Sequence, residues 1–521
     1  MTDVVDAARK WFLTAEDRGN PDTHLDSRHG DGASWTVGNQ VRPLVHGATY
    51  FRELLAAVSR LGRGDLLLFT DWRGDAEEHL DGPGTEVGNV FAAAAERGAD
   101  VRGLLWRSHA AMQFGTIKNR GLGKQIQDAG GQVLLDMRVP KFGSHHQKLV
   151  VLRYAAHPED DVAFLGGIDL CYGRRDHADH RGDPQALSMA AVYGDNPPWH
   201  DIQLEIRGPA VGDAEAVFRE RWDDPSPLAR HPVHLLSSWA NRETKAPDPL
   251  PPQSADPRPV GDVAVQLLRT YASRHPGYPF ARDGERSIAR AYVRALSKAS
   301  QLVYVEDQYL WSREVASVYA RALRRNPSLL MVFVIPGYPE QDGRVSMPPN
   351  QVGRASALEE LRRAGGSRLA IYYLENDAGT PVYVHAKACV VDDAWACIGS
   401  DNTNRRSWTH DSELSAAFVD GAEDGVVRSL RLELAAEHLG VSPTDASLVD
   451  PRDFFEAFRA GAEDLDAWHA AGASGPRPPG QLRRFSEPTL TQRTKAWATP
   501  LYRVVYDPDG RSRRARRAGA Y

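Results

Sequence analysis

The sequence predicts an α/β fold made of two similar halves, each a mixed sheet flanked by helices, packed with pseudo-two-fold symmetry. Short continuous apolar runs alternate with segments of helical periodicity, which is typical of strands buried on both faces between helices. The same succession of elements occurs twice along the 521 residues. A chain of this length exceeds the roughly 250–300 residues at which one hydrophobic core stops growing, so two units are expected.

Each half begins with an apolar helix followed by a buried strand. Gly47 precedes the helical pattern at 50–58 and the strand at 66–69, while Gly284 precedes the pattern at 288–296 and the strand at 302–305. Two further helix–strand pairs also correspond: 90–97 with 101–106 against 315–325 with 329–335, and 124–131 with 133–135 against 358–366 with 369–374. This repetition predicts an internally duplicated unit.

Two proline-rich stretches divide the chain, because proline continues neither a helix nor a central strand. We expect an N-terminal half at 1–245, a linker at 246–260, a C-terminal half at 261–473 and an extension at 474–521. The extension ends in the basic run RSRRARR at 511–517. Such a run predicts a solvated, poorly ordered tail, with attraction to anionic lipid headgroups as the alternative.

The composition is that of an ordinary globular protein, with 42% hydrophobic and 25% charged residues. A net charge of −6 argues against a protein that wraps nucleic acid. Three cysteines, Cys171, Cys389 and Cys397, indicate neither a disulfide framework nor a zinc site. The sparse cysteines indicate a reducing cytosol, and without an apolar leader or a run of about 20 apolar residues the chain is expected to meet a membrane only peripherally. We also expect a monomer.

Two His-x-Lys motifs follow the repeated elements, His146-Gln147-Lys148 and His385-Ala386-Lys387. Residues two apart on a strand project to the same face, so each copy delivers an imidazole and an ammonium to one surface. Each motif is followed by an apolar strand that ends in Gly-Gly or Gly-Ser. The segments further along the chain also match, with HDIQL at 200–204 against HDSEL at 410–414.

The two motifs are unequal. The second reads H-x-K-x4-D-x6-G-S-x-N, so its acidic position is Asp392. The first copy carries six extra residues, which predict a longer hairpin loop around 153–160. Counting back from its glycine places Glu159 at the acidic position, with Asp160 and Asp161 adjacent, and Asp160 is our choice among them. Asp392 has an alternative structural role, because Asp often turns a hairpin or accepts from backbone amides.

The second motif matches the HKD signature of the phospholipase D superfamily without a gap, and the sequence is identified as resembling that family. The resemblance extends over about 36–440. SHHQKLVVL at 144–152, PWHDIQLEIRGPAV at 198–211 and LVYVEDQYL at 302–310 resemble phospholipases D more than their nuclease relatives. The resemblance implies a phospholipase D-like fold with one active site shared by both halves.

By this resemblance, His146 is the nucleophile that forms a phosphohistidine, and His385 is the general acid and base. Cations and amide donors aimed at the non-bridging oxygens stabilise the charge of the transition state. Lys148, Lys387 and Asn402 are the candidates for that role.

Further site residues follow from position after each motif. Asp201 and Glu413 are the candidate carboxylates that orient the two imidazoles. Gly167, Asp169 and Ser400 are candidate substrate-binding residues, and Asp169 replaces the asparagine of the second copy. Neither a cofactor nor a metal is predicted, because no His-x-x-x-His or carboxylate cluster is visible.

Several neighbouring residues have a less specific interpretation. Packing is the favoured role for Trp72 and Tyr309, although both lie at strand ends where site residues gather. His145 faces away from His146 on a strand and is expected to be a satisfied buried histidine. His200 and His410 are either supporting residues of the site or ordinary polar caps.

The leading functional hypothesis is hydrolysis or headgroup exchange of a glycerophospholipid such as phosphatidylcholine, which gives phosphatidic acid. The alternatives are cardiolipin-synthase-like phosphatidyl transfer and a nuclease of the same superfamily. A lipid-binding module without activity is the weakest, because both His-Lys pairs are intact. The expected partners are phospholipid and the membrane surface, not nucleic acid.

Overall fold

The computed structural model describes residues 2–29, 32–109, 113–243, 246–341, 347–486, 490–519 and 521. The strands are β1 (Thr36–Val45), β2 (Leu66–Asp71), β3 (Asp100–Trp106), β4 (Gln132–Asp136), β5 (Leu149–Arg153), β6 (Val162–Gly166), β7 (Trp199–His200), β8 (Ile202–Arg207), β9 (Val263–Tyr271), β10 (Glu285–Arg286), β11 (Leu302–Asp307), β12 (Leu330–Val334), β13 (Leu369–Glu375), β14 (Pro381–Val384), β15 (Lys387–Val391), β16 (Trp395–Gly399), β17 (Glu413–Val419) and β18 (Leu482–Arg484).

The helices are α1 (Thr2–Trp11), α2 (Ala15–Arg18), α3 (Gly47–Ser59), α4 (Val87–Glu96), α5 (Gln113–Asp128), α6 (Ala210–Trp222), α7 (Pro232–Ala240), α8 (Ser287–Lys298), α9 (Arg313–Arg325), α10 (Met347–Gly365), α11 (Arg405–Thr409), α12 (Val426–Leu439), α13 (Pro451–Ala470), α14 (Gln492–Leu501) and α15 (Arg513–Ala518).

Two mixed sheets share one strand order. The first runs β4-β3-β2-β5-β6-β8-β1, and the second runs β13-β12-β11-β15-β16-β17-β9. In each sheet the first three strands are parallel and the others are antiparallel. The predicted α/β class and the internal repeat are therefore confirmed.

Alternate residues of each strand face different layers, as the two-residue period of a strand requires. In β2, Leu67 and Phe69 pack against α3, α4 and α5, while Leu68 faces the opposite way. In β11, Val303 packs against the α8 and α9 layer and Tyr304 faces the opposite way. Leu68 and Tyr304 belong to one apolar cluster that both sheets share, so the two inner faces form a common core.

Strand β1 joins the two sheets. Its residues 40–45 pair with β8, and Thr36 and Asn39 pair with β9. The short strands β7 and β14 make a second link, because Val384 pairs with His200 in parallel register. These links bring the beginnings of β5 and β15, where the two His-x-Lys motifs lie, to neighbouring positions.

The proline-rich segment 246–260 contains neither helix nor strand, as predicted, while the domain boundaries stay predictions. The loop predicted in the first motif is confirmed, since β5 ends at Arg153 and β6 begins at Val162. The prediction of a solvated basic tail is wrong for its first residue. Arg511 is buried and pairs with Glu314 and Asp509, because these carboxylates compensate its charge.

All three cysteines are buried free thiols, in agreement with the predicted lack of a disulfide framework. Within the described ranges, every helix is too short or too polar to cross a bilayer.

Candidate active site

One cavity of about 370 Å³ contains both motif histidines. His146 lies three residues before the first residue of β5, and His385 lies between β14 and β15. Other residues that line the cavity are Trp72, Trp106, Asp169, Arg174, Trp199, Gln308, Tyr309, Trp311, Asn402, Arg406 and Tyr506. Two imidazoles from different halves of the chain therefore face the same space.

Each imidazole is held by a carboxylate from the other half. His146 Nδ1 lies 2.9 Å from Glu413 Oε2, and His385 Nδ1 lies 2.6 Å from Asp201 Oδ2. The backbone repeats this exchange, because His146 N donates to Ser412 O at 2.9 Å and His385 N donates to His200 O at 2.7 Å. With Nδ1–H donated to a carboxylate, each ring is left with Nε2 as its second nitrogen for chemistry.

This pairing corrects the predicted match between the segments HDIQL at 200–204 and HDSEL at 410–414. Gly166 pairs with Gln203 and Gly399 pairs with Ser415, so Asp201 corresponds to Glu413 and not to Asp411. The sequence match was shifted by two residues. A shift of two preserves the face of every side chain on a strand, so the apolar pattern fits both registers equally well.

The two lysines lie beside the motif histidines, behind the lining of the cavity. Lys148 Nζ donates to His146 O at 3.1 Å and lies 3.2 Å from Asp169 Oδ1. Lys387 Nζ contacts both His385 O and His385 Nδ1. Because Nδ1–H is already donated to Asp201, the ammonium donates to the carbonyl oxygen.

Burial dominates the electrostatics around the second motif. It lowers the pKa of Lys387 to about 8, even though the neighbouring Asp201 opposes this shift. Burial, reinforced by Lys387 and Arg174, also holds the pKa of His385 well below its usual range. The free site therefore contains a neutral His385 at neutral pH.

We call each motif lysine, together with Asp169 in the first half or Asn402 in the second, a cradle. Asp169 makes the first cradle different from the second. It pairs with Asp71, and burial together with the Asp169 carboxylate raises the pKa of Asp71 well above its usual value. Burial disfavours the charge on Asp169 as well, but Lys148 outweighs it and lowers the pKa of Asp169. The pair therefore carries one proton on Asp71 and one negative charge on Asp169. Asn402 occupies the corresponding place as a neutral amide, and its Oδ1 is buried without a hydrogen-bond partner among the described residues.

Sequence reasoning missed Arg174. Its guanidinium lies 3.9 Å from the ring centroid of Trp199 and 4.0 Å from Asp169 Oδ2, and it lines the cavity. The Asp169 carboxylate neutralises the charge of Lys148. Arg174 adds a second cation next to this pair, so the first half retains one net positive charge there. The segment GRRD at 173–176, six residues after Gly167, was the available signal.

Gly167 and Ser400 occupy equivalent positions behind the carboxylates. A Cβ on Gly167 would lie 2.1 Å from Asp201 Oδ1, so the close approach requires glycine. Ser400 Oγ donates to Glu413 Oε2 at 2.5 Å and thus fixes the carboxylate that holds His146. Both residues support a carboxylate, and neither lines the cavity.

The two predicted motif aspartates lie outside the site, which corrects their assignment as catalytic. Asp392 follows β15 at the end opposite to His385, and its carboxylate accepts from the amides of residues 300–302 at 2.7–2.9 Å. Asp160 lies in a surface turn and pairs with Arg60. The structural alternative stated for Asp392 therefore fits its contacts.

Aromatic rings form the walls of the cavity. Trp72 stacks on Trp106 with ring centroids 5.7 Å apart, and Tyr309 stacks on Trp311 at 3.8 Å. Both Trp72 and Tyr309 thus pack, as expected, and also face the site. A neighbouring cavity of about 410 Å³ shares Tyr309, Trp311 and Tyr506 with the first. Apolar space extends away from the imidazoles on this side.

Other histidines have supporting roles. His145 is buried, as predicted, with Nε2 at 2.9 Å from Thr70 Oγ1. His410 Nε2 lies 3.0 Å from Lys141 O. His200 belongs to a group that could hold a metal ion behind β7, together with His46, His180 and Glu437.

The fold and the paired motifs define a class of duplicated α/β proteins in which both halves build one histidine site. Residues 77–317 match the family model described as Phospholipase D, and residues 292–425 match the model described as Cardiolipin synthase, PLD-like domain. The chain belongs to the phospholipase D superfamily.

Similar proteins agree with this membership. Phospholipase D gamma 2 of Arabidopsis thaliana is 25% identical over 68% of this chain, which spans 57% of that relative. Phospholipase D alpha 1 of Brassica oleracea var. capitata is 22% identical over 86% of this chain and 72% of its own length. The crystal structure of phosphatidylserine synthase from Haemophilus influenzae Rd KW20 matches with a TM-score of 0.50 and 12% identity, over 83% of this chain and 94% of that one. It supports the fold alone.

Proposed function

We propose that this chain is a phospholipase D-type phosphodiesterase that acts on a glycerophospholipid. One observation carries the proposal: a single cavity contains two imidazoles, each held through Nδ1 by a carboxylate of the opposite half. Imidazoles oriented in this way can attack phosphorus and transfer a proton through Nε2. Lys148, Lys387 and Arg174 lie near the imidazoles and supply the positive charge that a phosphate requires.

In the first step, His146 Nε2 attacks phosphorus and the bond to the headgroup oxygen breaks. The proton of His385 Nε2 passes to the leaving alkoxide, so the headgroup departs as an alcohol. His385 is neutral in the free site, and the anionic phosphodiester raises its pKa on binding, so that His385 takes up this proton from solvent. Glu413 stabilises the positive charge that develops on His146.

In the second step, the now neutral His385 removes a proton from water and the oxygen attacks the phosphohistidine. The N–P bond breaks, phosphatidic acid leaves and His146 is regenerated. A primary alcohol in place of water gives a phosphatidyl-alcohol by the same proton transfers. The match to the cardiolipin synthase model favours this transfer reaction as the second candidate function.

The wall of the cavity supports an apolar substrate over a nucleic acid. The rings of Trp72, Trp106, Tyr309 and Trp311 line it, and the neighbouring cavity of about 410 Å³ extends the apolar space. Acyl chains can fill such a space, whereas a nucleic acid needs a continuous basic groove. The net charge of −6 agrees with a lipid substrate.

The test is incubation with phosphatidylcholine vesicles and ethanol, followed by mass spectrometry of the lipids. We expect phosphatidic acid and phosphatidylethanol from the native chain and neither from His146→Asn or His385→Asn. His157→Asn, at an exposed position with Glu159, is the matched control and retains full activity. Nicking of DNA without either lipid product contradicts the proposal, and so does turnover by either site variant.

A substrate with a p-nitrophenyl headgroup tests which histidine attacks, because this leaving group needs no proton donor. We expect His385→Asn to release one equivalent of p-nitrophenolate in a burst and to retain a phosphatidyl group on His146. His146→Asn gives no burst. A burst from His146→Asn and none from His385→Asn reverses the assignment.

A further inference from the structure

A second histidine cluster lies behind the active site, between the two halves. His46 Nε2 is 2.8 Å from Glu437 Oε2, His180 Nε2 is 3.2 Å from Glu437 Oε1, and His200 Nδ1 is 3.6 Å from the same oxygen. The three imidazole centroids are 5.0–5.5 Å apart, with interplanar angles of 67–86°. Three rings therefore point one nitrogen each at a single carboxylate.

We propose that His46, His180, His200 and Glu437 form a structural site for one divalent transition-metal ion, with zinc as the best match. Three imidazole nitrogens and one carboxylate oxygen are a common zinc donor set. All four donor atoms lie within 4.8 Å of one another. Tetrahedral zinc with bonds of about 2.0–2.2 Å sets its donors roughly 3.4 Å apart, so small side-chain rotations close the site.

The second nitrogen of two rings is already committed. His200 Nε2 lies 2.6 Å from Glu306 Oε2, and His180 Nδ1 lies 3.2 Å from Trp199 O. Because both partners are hydrogen-bond acceptors, His200 carries its proton on Nε2 and His180 carries its proton on Nδ1. The other nitrogen of each ring, which faces the cluster, therefore has a free lone pair. Carboxylate and carbonyl acceptors of this kind orient metal-bound histidines. His200 Nδ1 is buried without a hydrogen-bond partner among the described residues.

The charges also fit a divalent cation. Glu306 and Glu437 are carboxylates placed among four imidazoles, those of His46, His180, His200 and His438. Within the described ranges, neither carboxylate forms an ion pair with a lysine or an arginine. One divalent ion neutralises both carboxylates while all four imidazoles remain neutral, which avoids uncompensated buried charge. Glu437 is partly exposed and gives the ion a path from solvent.

The cluster lies between the two halves, so a bound ion links them and holds the segment next to the active site. His46, His180 and His200 come from the first half, whereas Glu437 comes from α12 of the second. His200 O accepts from His385 N, and the next residue, Asp201, holds the His385 ring. The ion therefore fixes the segment that positions the general acid, although its binding does not depend on the proposed reaction.

Metal analysis of the chain, purified without a polyhistidine tag, tests the site directly. We expect one zinc per chain by plasma mass spectrometry, and removal by a chelator should lower the melting temperature by several degrees. Added zinc restores it, and cobalt gives the visible absorption of four-coordinate Co²⁺. A purified chain without bound metal, whose melting temperature does not respond to added zinc or cobalt, overturns the proposal.

Three variants localise the metal without touching the catalytic residues. His46→Asn removes an imidazole, and circular dichroism verifies its fold because His46 has φ 69° and ψ 149°, a conformation that residues other than glycine rarely adopt. His46→Asn and Glu437→Gln should each lose the bound zinc and its effect on melting temperature. Glu306→Gln, which removes only the carboxylate behind His200, should weaken zinc binding by about 10–100-fold. His157→Asn is the control, and equal zinc content in all variants contradicts the assignment.

Discussion

The exchange of carboxylates decides the chemistry of the two histidines. Glu413 and Asp201 each accept from Nδ1, so the reactive Nε2 of each ring faces the cavity. An amide in place of either carboxylate can offer its own N–H to Nδ1 and favour the wrong tautomer. The protein then retains its shape and loses the correct protonation of one ring.

Glu413→Gln and Asp201→Asn should each lower kcat by roughly 10²–10⁴-fold, with a smaller change in KM. Steady-state kinetics with phosphatidylcholine provide the measurement, and circular dichroism verifies the fold. Glu159→Gln, at an exposed carboxylate on a surface turn, is the matched control. Native kcat in either site variant shows that the carboxylates do not act on the rings.

The lowered pKa of Lys387 predicts the alkaline limb of the pH profile. Burial brings this pKa to about 8, so the ammonium that we propose as a phosphate ligand loses its proton as the pH rises through that value. We expect kcat/KM, which reports the free enzyme, to decline with rising pH because His385 must take up a proton, and to decline more steeply above about pH 8 as Lys387 loses its own proton. In the complex the phosphate raises this pKa, and kcat falls only at higher pH.

Initial rates from pH 6 to pH 10 at low and saturating substrate separate the two parameters. A kcat/KM that remains constant up to pH 10 contradicts the assigned role of Lys387.

At the scale of elements, both motif aspartates have structural contacts: Asp392 fixes a turn and Asp160 forms a surface ion pair. Asp392 has a φ of 53° and accepts from three backbone amides at the start of β11, those of residues 300–302. Asp392→Ala leaves those amides without their partner and strains the turn. We expect it to lower the free energy of unfolding by about 1–3 kcal/mol, while kcat is unchanged at temperatures where the chain is folded.

Denaturant unfolding and a kcat measurement on the same sample test this separation. Asp160→Ala is the comparison, since its surface pair with Arg60 contributes about 0–1 kcal/mol. A folded Asp392→Ala protein without activity restores the catalytic assignment.

Helices and strands were predictable because each half repeats one apolar pattern. β2 and β11, α4 and α9, and β4 and β13 all occur where periodicity placed them. What the sequence did not reveal depends on contacts between the halves. The register of β8 and β17 is ambiguous by two residues, and Arg174 lacks a counterpart in the motif spacing. The histidines at 46, 180 and 200 are too far apart in sequence to form a recognisable metal motif.

At the scale of the whole molecule, one chain contains all parts of the site. His146 and Glu413 come from different halves of the same chain, as do His385 and Asp201. A mixture of His146→Asn and His385→Asn chains should therefore remain inactive. This expectation agrees with the predicted monomer.

Co-expression of the two variants, with activity measured on the purified mixture, provides the test. Recovery of a quarter or more of the native activity shows that halves exchange between chains. Each variant alone is the control.

The exchange of carboxylates between the two halves also indicates how such a molecule can originate. A single unit with the first half's pattern lacks the carboxylate for its own histidine and obtains it only from a second copy turned by a half rotation. Two identical chains related by that rotation thus form two identical cradles and one shared site. Fusion into one chain frees the cradles to diverge, and Asp169 against Asn402 and Gly167 against Ser400 are differences that a pair of identical chains cannot have.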